Sequence, residues 1–371
     1  MTALGSVARA GLVVSGAFLV SRVLGYVRLL VIGGEFGATA ELDAFFAAFR
    51  IPDLIFQLVA AGALSSALIP VVSTLFAADE HARAWRIVST VINLMLGGLA
   101  ILSVGLYLLA PTVVPLITPG FDAAQLDKTI ELTRIMLLSP IFLSMGAVAT
   151  SVLNAGGRFA AAALAPIIYN VAIIGAAVIL GPTLGVEGLA YGVVAGSLGH
   201  LLVQVRPLGR LGFRYSPRVD AADPQARQAL LLMAPRAIGL GASQITFIVV
   251  TSLATQLGDG AVSDFNFSFA LLQIPLGIIG VPLGIVLLPS LSRDAVVGQE
   301  VAFAGLLMRA MRLLVYVMVP ITVFAAAARG PIVGVLFGSG RISPTDLGLI
   351  ALTLAAFLVG LTAHALIAVL A

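Results

Sequence analysis

The 371-residue chain is 60% hydrophobic and 10% charged, with a mean hydropathy of +1.13. Soluble domains carry about 25% charged residues, so the composition excludes a soluble globular protein and defines an all-α, polytopic membrane protein. The net charge is +3 and the pI near 9.6. The arginines fall in short connections between apolar segments, where positive-inside topology accounts for them, so the basic pI does not signal a nucleic-acid partner. No cysteine is present, which excludes disulfides and thiol chemistry.

A helix needs about 20 mostly apolar residues to cross the hydrocarbon core. On that length the sequence predicts about ten transmembrane spans, near 10–33, 44–76, 87–116, 132–155, 160–181, 184–205, 228–257, 262–290, 303–328 and 345–371. Arg22 interrupts the first apolar run and no small-residue cleavage site follows, so it reads as an uncleaved first helix. The second and eighth spans are long enough to tilt or kink, and Pro52, Pro275 and Pro282 supply physical causes. Basic residues concentrate on alternate connections: Arg83 and Arg86, then Arg158, then Arg206 to Arg227, then Arg293. That alternation places the N-terminus in the cytoplasm. The stretch 206–227, with Pro207, Pro217 and Pro224, reads as a cytoplasmic linker between a first six-helix lobe (1–205) and a second lobe (228–371).

The two lobes share sequence. ALIPVVSTL at 67–75 matches VLLPSLSRD at 286–294, pairing Pro70 with Pro289, and APTVVPLITPGF at 110–121 matches GPIVGVLFGSGR at 330–341, pairing Pro111 with Pro331. The offsets of 219 and 220 indicate a parallel internal duplication, a common plan among secondary transporters. The first copy holds about six spans and the second about four, so the second lobe is expected to be truncated.

Chemistry concentrates in residues 15–53, where Arg22, Arg28, Asp43, Arg50 and Asp53 lie within strongly apolar sequence. An arginine at the bilayer centre costs about 2.5–3.5 kcal/mol even on the lenient insertion scale, so such residues face a water-filled cavity or a partner charge. Three arginines in consecutive spans suggest a cationic cavity and an anionic passenger. Arg22 and Arg28 are about 240° apart on an ideal helix. Gly25 and the pair Gly33–Gly34 offer places for a break that turns both inward, while snorkelling of Arg28 to an interface is the plainer alternative. Arg50 and Asp53 are at i, i+3 and can neighbour one another. Asp43 and Arg50 face the same way about 10 Å apart along the axis. Arg236 lies near a cytoplasmic helix end and reads as an interfacial anchor, and Asp264 with Asn266 opens the eighth span. Asn154, Asn170, Gln244 and Gln273 are polar groups in apolar segments, suited to hydrogen bonds between helices.

His81, His200 and His364 are scattered, and the sequence shows no metal-ligand spacing, phosphate-binding loop or nucleophile elbow. It offers neither an enzyme's constellation nor a cofactor site. An ATP-driven pump is disfavoured, which leaves a monovalent cation gradient, the membrane potential or a downhill substrate as the energy source.

Five ordered motifs carry a resemblance: SRVLGYVR (21–28), LDAFFAAFRIPDL (42–54), GALSSALIPV (62–71), LNAGGRFAAAALAPIIYNVAII (153–174) and QIPLGIIGVPLGIVLLPSLSRD (273–294). Together they resemble the MurJ/MviN family of lipid II flippases, in the multidrug/oligosaccharidyl-lipid/polysaccharide exporter superfamily. The resemblance implies two six-helix lobes around a central cavity in the bacterial cytoplasmic membrane. It further implies movement of lipid-linked peptidoglycan precursor from the inner to the outer leaflet. Arg22 and Arg28 match the family's cavity arginines, Asp43 its first-lobe aspartate, and Arg50 a basic position. Five positions depart from the pattern. Leu29 stands where aspartate usually follows the second arginine, and Phe56 and Gln57 where arginine often stands. Ala270 replaces a second-lobe arginine, and Val250 falls near an acid that helps bind sodium in some members.

The expected function is lipid II translocation by alternating access, with Arg22, Arg28 and Arg50 attracting the pyrophosphate and Asp43 balancing charge or gating. Charge-assisted arginine contacts to phosphate in a low-dielectric cavity supply the affinity. The lipid tail is expected to stay among membrane lipids. An exporter of another polyprenyl-linked glycan or of a small molecule, and a non-transporting membrane scaffold, are the competing readings.

Overall fold

A computed structural model describes residues 3–59, 63–220, 223–280, 282–284, 287, 293 and 300–370. Its packing divides into two compact units, Met1–Asp259 and Gly260–Ala371.

The first unit holds α1 (Ala3–Phe36), α2 (Ala40–Val59), α3 (Ala63–Ala77), α4 (His81–Ile117), α5 (Ala123–Met136), α6 (Ser139–Ala155), α7 (Phe159–Ile179), the single turn α8 (Gly181–Leu184), α9 (Val186–Arg210) and α10 (Pro224–Ala254). The expected second span is thus two helices, α2 and α3, on either side of residues 60–62. Pro52 lies inside α2 and does not end it.

Local chemistry sets the boundaries. Asp122 caps α5 through a capping box, its carboxylate accepting from the Gln125 amide at 2.8 Å while the Gln125 side chain accepts from the Asp122 amide at 3.2 Å. The LNAGGRF segment ends α6 in a Schellman turn: Gly157 takes a positive φ of 69°, Arg158 N–H donates to Leu153 O at 2.7 Å and Gly157 N–H to Asn154 O at 3.1 Å.

Two kinds of face organise the bundle. On α4, Trp85, Val88, Leu99 and Val114 are buried, whereas Ile101, Leu108 and Leu116 are at least 69% exposed at near-heptad spacing, the stripe expected to meet lipid. On α9 the stripe Gly188, Gly192, Gly196 and Gly199 packs against Leu180 and α7. A side-chain carbon at Gly196 would lie 2.9 Å from Tyr169 O, and one at Gly192 would overlap the Ala176 methyl. Small residues let helix backbones approach closely where apolar burial gives no advantage over lipid. This packing fixes the position of Tyr169.

The connection 211–220 turns at 211–212 and then docks along α4 without regular secondary structure. Asn93 Nδ2 donates to Ser216 O at 2.9 Å, Ser216 N–H to Ser89 Oγ at 3.0 Å and Asp220 N–H to Thr90 Oγ1 at 3.0 Å. Beyond it α10 packs on α2, α3 and α4, so the first compact unit extends past residue 205 to Asp259.

In the second unit, α11 (Ala261–Pro275) runs into a π-helical turn, Leu276–Gly280. It is followed by α12 (Glu300–Ala327), α13 (Arg329–Phe337), α14 (Pro344–Val359) and α15 (Leu361–Leu370). Its core is aromatic. Phe267 meets Phe337 with ring centroids 5.0 Å apart, and Phe265 and Phe269 meet Phe357 at 5.7 and 5.8 Å. Ser268 Oγ donates to Ile350 O at 2.9 Å. Asp264 and Ser263 are buried in the first turn of α11, and Asn266 Nδ2 donates to Val262 O at 2.6 Å. Pro289, half of one pair in the duplication, lies outside the described residues.

Among the described residues, seven helices are long and apolar enough to cross a membrane, or eight if the 50° bent pair α14–α15 is one span. Of the expected spans, 228–257 is represented among the described residues by the shorter apolar helix Gln244–Leu257, and the absence of 44–76 from the count has a physical source. α2 is 20 residues long but carries Glu41, Asp43, Arg50 and Asp53, too many charges for an unassisted span. Its neighbours must therefore satisfy them.

Candidate functional site: the charged face of α2 and the cavity beside Arg28

Four helices of the first unit position the charged groups. α2 begins after Thr39, whose hydroxyl accepts from Leu42 N–H at 3.3 Å. Asp43 lies in the first turn, fully buried, where a carboxylate is favoured by the helix dipole. Two turns on, Arg50 Nε donates to Thr251 Oγ1 of α10 at 2.9 Å, and its guanidinium lies 5.4 Å from the Phe247 ring centroid. One turn further, the Asp53 carboxylate accepts from Gln244 Nε2 of α10 at 2.9 Å and from the Gln57 side chain. Gln244 and Thr251 are seven residues apart, so they share one face of α10. Arg50 and Asp53 thus form two rungs across the α2–α10 interface.

The contact between α10 and its unit is polar at both ends as well. Arg83 on α4 pairs with Asp223 at 2.9 Å. At the other end Gly120 N–H donates to Thr255 Oγ1 at 3.2 Å, and Gln125 Nε2 to Asp259 Oδ1 at 3.0 Å. A side-chain carbon at Gly120 would collide with the Thr255 backbone, which explains why glycine stands there.

α1 is continuous from Ala3 to Phe36, with no break at Gly25 or Gly33–Gly34. Arg22 and Arg28 therefore keep different directions. Arg22 lies 5.5 Å from the ring centroid of Phe18, one turn earlier on the same helix, and Arg28 lies 5.8 Å from that of Tyr169 on α7. Arg28 lines a cavity of about 60 Å3 with Leu29, Phe45, Phe46, Phe49 and Tyr169. Arg50, held against α10, and Arg28, in the cavity wall, both lie within electrostatic reach of Asp53, whereas Arg22 sits beside Phe18 and Asp43 is buried in the first turn of α2.

Sequence reasoning singled out Gln244 and Asn170 as polar groups that bond between helices, and both do so; Asn170 Nδ2 donates to Ser21 O of α1 at 3.4 Å. It missed Thr251 and Tyr169, which are unremarkable residue types in apolar helices. The seven-residue spacing of Gln244 and Thr251 was the available signal. The positions that depart from the family pattern are also placed. Leu29 is in the cavity wall, Phe56 and Gln57 are half-buried on α2, and Val250 and Ala270 are half-buried on α10 and α11. The backbone at Arg236 is helical, within α10.

Apolar membrane-length helices packed by glycine stripes, with arginines and carboxylates held on their inner faces, define a multi-pass membrane protein of the helical transporter class. Residues 33–371 match the family described as lipid II flippase MurJ. The lipid II flippase MurJ of Burkholderia cenocepacia is 33% identical over 98% of this chain and 72% of its own length. A probable lipid II flippase MurJ of Vibrio cholerae is 31% identical over 98% and 71%. Among solved structures, a lipid II flippase MurJ in an inward closed conformation superposes with a TM-score of 0.82 at 22% identity, over 96% of this chain and 74% of that one. An inward-facing multidrug resistance MATE family transporter of the MOP superfamily superposes at 0.68 and 18% identity, over 94% and 81%. The chain belongs to the lipid II flippase MurJ family, and it is a multi-pass inner-membrane protein.

Proposed function

We propose that the protein translocates lipid-linked peptidoglycan precursor, lipid II, across the bacterial cytoplasmic membrane by alternating access. The observation that carries this reading is the guanidinium of Arg28 in the wall of an otherwise apolar cavity, on a chain whose curated relatives bear the name lipid II flippase. Desolvated arginines bind phosphate oxygens through short, charge-assisted hydrogen bonds. Arg28 contacts the pyrophosphate in the cavity wall, Arg22, on another side of α1 beside Phe18, attracts it at a distance, and Arg50 joins by exchanging Thr251 for a phosphate oxygen. Asp43 offsets the accumulated positive charge from the helix interior. The passenger is bound and released without covalent change, so the protein acts as a transporter.

The alternation of basic connections supports a cytoplasmic N-terminus and a cytoplasmic 206–227 linker between duplicated lobes 1–205 and 228–371. The driving force is a monovalent cation gradient or the membrane potential. In cells depleted of their own flippase, the wild-type gene should restore growth, whereas Arg22→Ala and Arg28→Ala should insert normally and fail to rescue. Rescue by both variants would overturn the arginine assignment. Failure of the wild-type protein would overturn the flippase reading.

A further inference from the structure

Asp53 is the carboxylate that the charged face of α2 sets among arginines. It accepts from Gln244 Nε2 of α10 at 2.9 Å and from the Gln57 side chain. Two guanidinium groups lie within its electrostatic reach, Arg50 one turn earlier on the same helix and Arg28 on α1. Tyr169 on α7 is in reach of both Arg28 and Asp53, and α10 faces Asp53 with the Gln244 amide. Asp43, the buried carboxylate of α2, is ten residues earlier, about 15 Å along the axis. Asp53 is therefore the counter-ion that Arg28 and Arg50 share, and the two glutamines hold it in place.

Amide hydrogen bonds orient a carboxylate, but its charge is balanced by the arginines. A diphosphate esterified at both ends carries one negative charge on each phosphate. Once it engages both guanidinium groups, its charges match theirs, and Asp53 is left as a surplus anion beside another anion among apolar helices. Two like charges in such a place are relieved when one of them holds a proton. A diphosphate diester has no secondary phosphate proton of the kind that a phosphate monoester titrates near about pH 6, so the proton goes to the carboxylate. Protonated Asp53 still accepts from Gln244 and gains an O–H donor.

We propose that Asp53 is a proton-binding site coupled to the passenger: it takes one proton from cytoplasmic water when the diphosphate enters and returns it to water on the far side when the diphosphate leaves. In the free protein the ionised carboxylate occupies the arginines. In the complex the phosphates do so, and Asp53 is neutral. The inference rests on the flippase reading and deepens it, by naming the ion that travels with the lipid. The net charge that crosses is then one negative charge smaller than that of the diphosphate. Re-ionised Asp53 reclaims the arginines after release and opposes rebinding.

The test is calorimetric titration of lipid II into the purified protein in nanodiscs at pH 7 and constant ionic strength, in two buffers of different ionisation enthalpy, which counts protons taken up per lipid bound. Wild-type protein should take up about one, and its affinity for lipid II should weaken by up to about tenfold per pH unit as pH rises, as linkage to a single proton requires. Asp53→Asn keeps an acceptor for Gln244 and removes the charge. It should take up no proton, show a pH slope of about twofold or less per unit, and bind lipid II more tightly than wild type at high pH. Asp259→Asn removes a carboxylate at the far end of α10 and should behave as wild type. A carboxylate kept only for its bond to Gln244 would give no proton uptake, so the wild-type measurement decides even where the variant fails to fold. Lipid II binding without proton uptake, or a pH slope that persists in Asp53→Asn, would overturn the proton site and leave the flippase reading standing. Absence of lipid II binding would overturn both.

Discussion

Arg50 on α2 donates through Nε to the hydroxyl of Thr251 on α10 at 2.9 Å, and Thr251 is fully buried. One turn along, Asp53 accepts from Gln244 on the same face of α10. A charged span otherwise too costly for the bilayer is thereby made compatible with it. The helix that carries the charges and the helix that satisfies them are 201 and 191 residues apart in sequence at these two contacts.

Thr251→Val keeps the shape and removes the acceptor. It should lower the unfolding free energy of the detergent-solubilised protein by about 1–3 kcal/mol, the range for losing a hydrogen bond to a charged group or leaving its partner unsatisfied. A double-mutant cycle with Arg50→Gln should show a coupling above about 0.5 kcal/mol. Additive losses would mean that the two residues do not act together.

The α7–α9 contact makes a second prediction. A methyl at Gly192 would overlap that of Ala176, so Gly192→Ala should destabilise the protein by about 1–3 kcal/mol. The gain in helix propensity of about 1 kcal/mol should not prevent a net loss. Combining it with Ala176→Gly moves the methyl to the other helix and should restore most of the stability. A neutral single variant would show that the helices separate freely at this point.

Much of the architecture was legible from sequence because hydropathy reports lipid contact directly. Long apolar runs marked α1, α4, α7, α9 and α12, and the LNAGGRF segment fell on a helix terminus. What escaped was decided by tertiary partners. Arg22 and Arg28 are separated because α1 passes through Gly25 unbroken, and no local signal distinguishes a glycine that bends a helix from one that does not. The pairing of α2 with α10 depends on contacts about 200 residues apart. Arg50 read alone suggests a cavity arginine; the structure shows its Nε bonded to Thr251 of α10. Tyr169 gave no sequence signal, since its placement depends on the glycine stripe of another helix.

The connection 211–220 supplies a topology test, and the structure chooses the residue. Ser216 is tethered to α4 through its amide and carbonyl, whereas Arg214 is exposed. The chain has no native cysteine, so Arg214→Cys introduces a single thiol. An impermeant maleimide should label it in inverted vesicles and not in intact spheroplasts. Labelling from outside intact spheroplasts would reverse the proposed orientation.

The most direct measurement is transbilayer movement of lipid II in proteoliposomes, read as the fraction of labelled lipid II that becomes accessible to an outside reagent under an imposed membrane potential or sodium gradient. Wild-type protein should raise the rate well above protein-free liposomes. Arg28→Ala, which removes the charge from the cavity and leaves its aromatic walls, should reduce the rate about tenfold or more, as expected for losing a charge-assisted phosphate contact. Wild-type protein that leaves lipid II in its original leaflet under both gradients, or Arg28→Ala that moves it at the wild-type rate, would contradict the account.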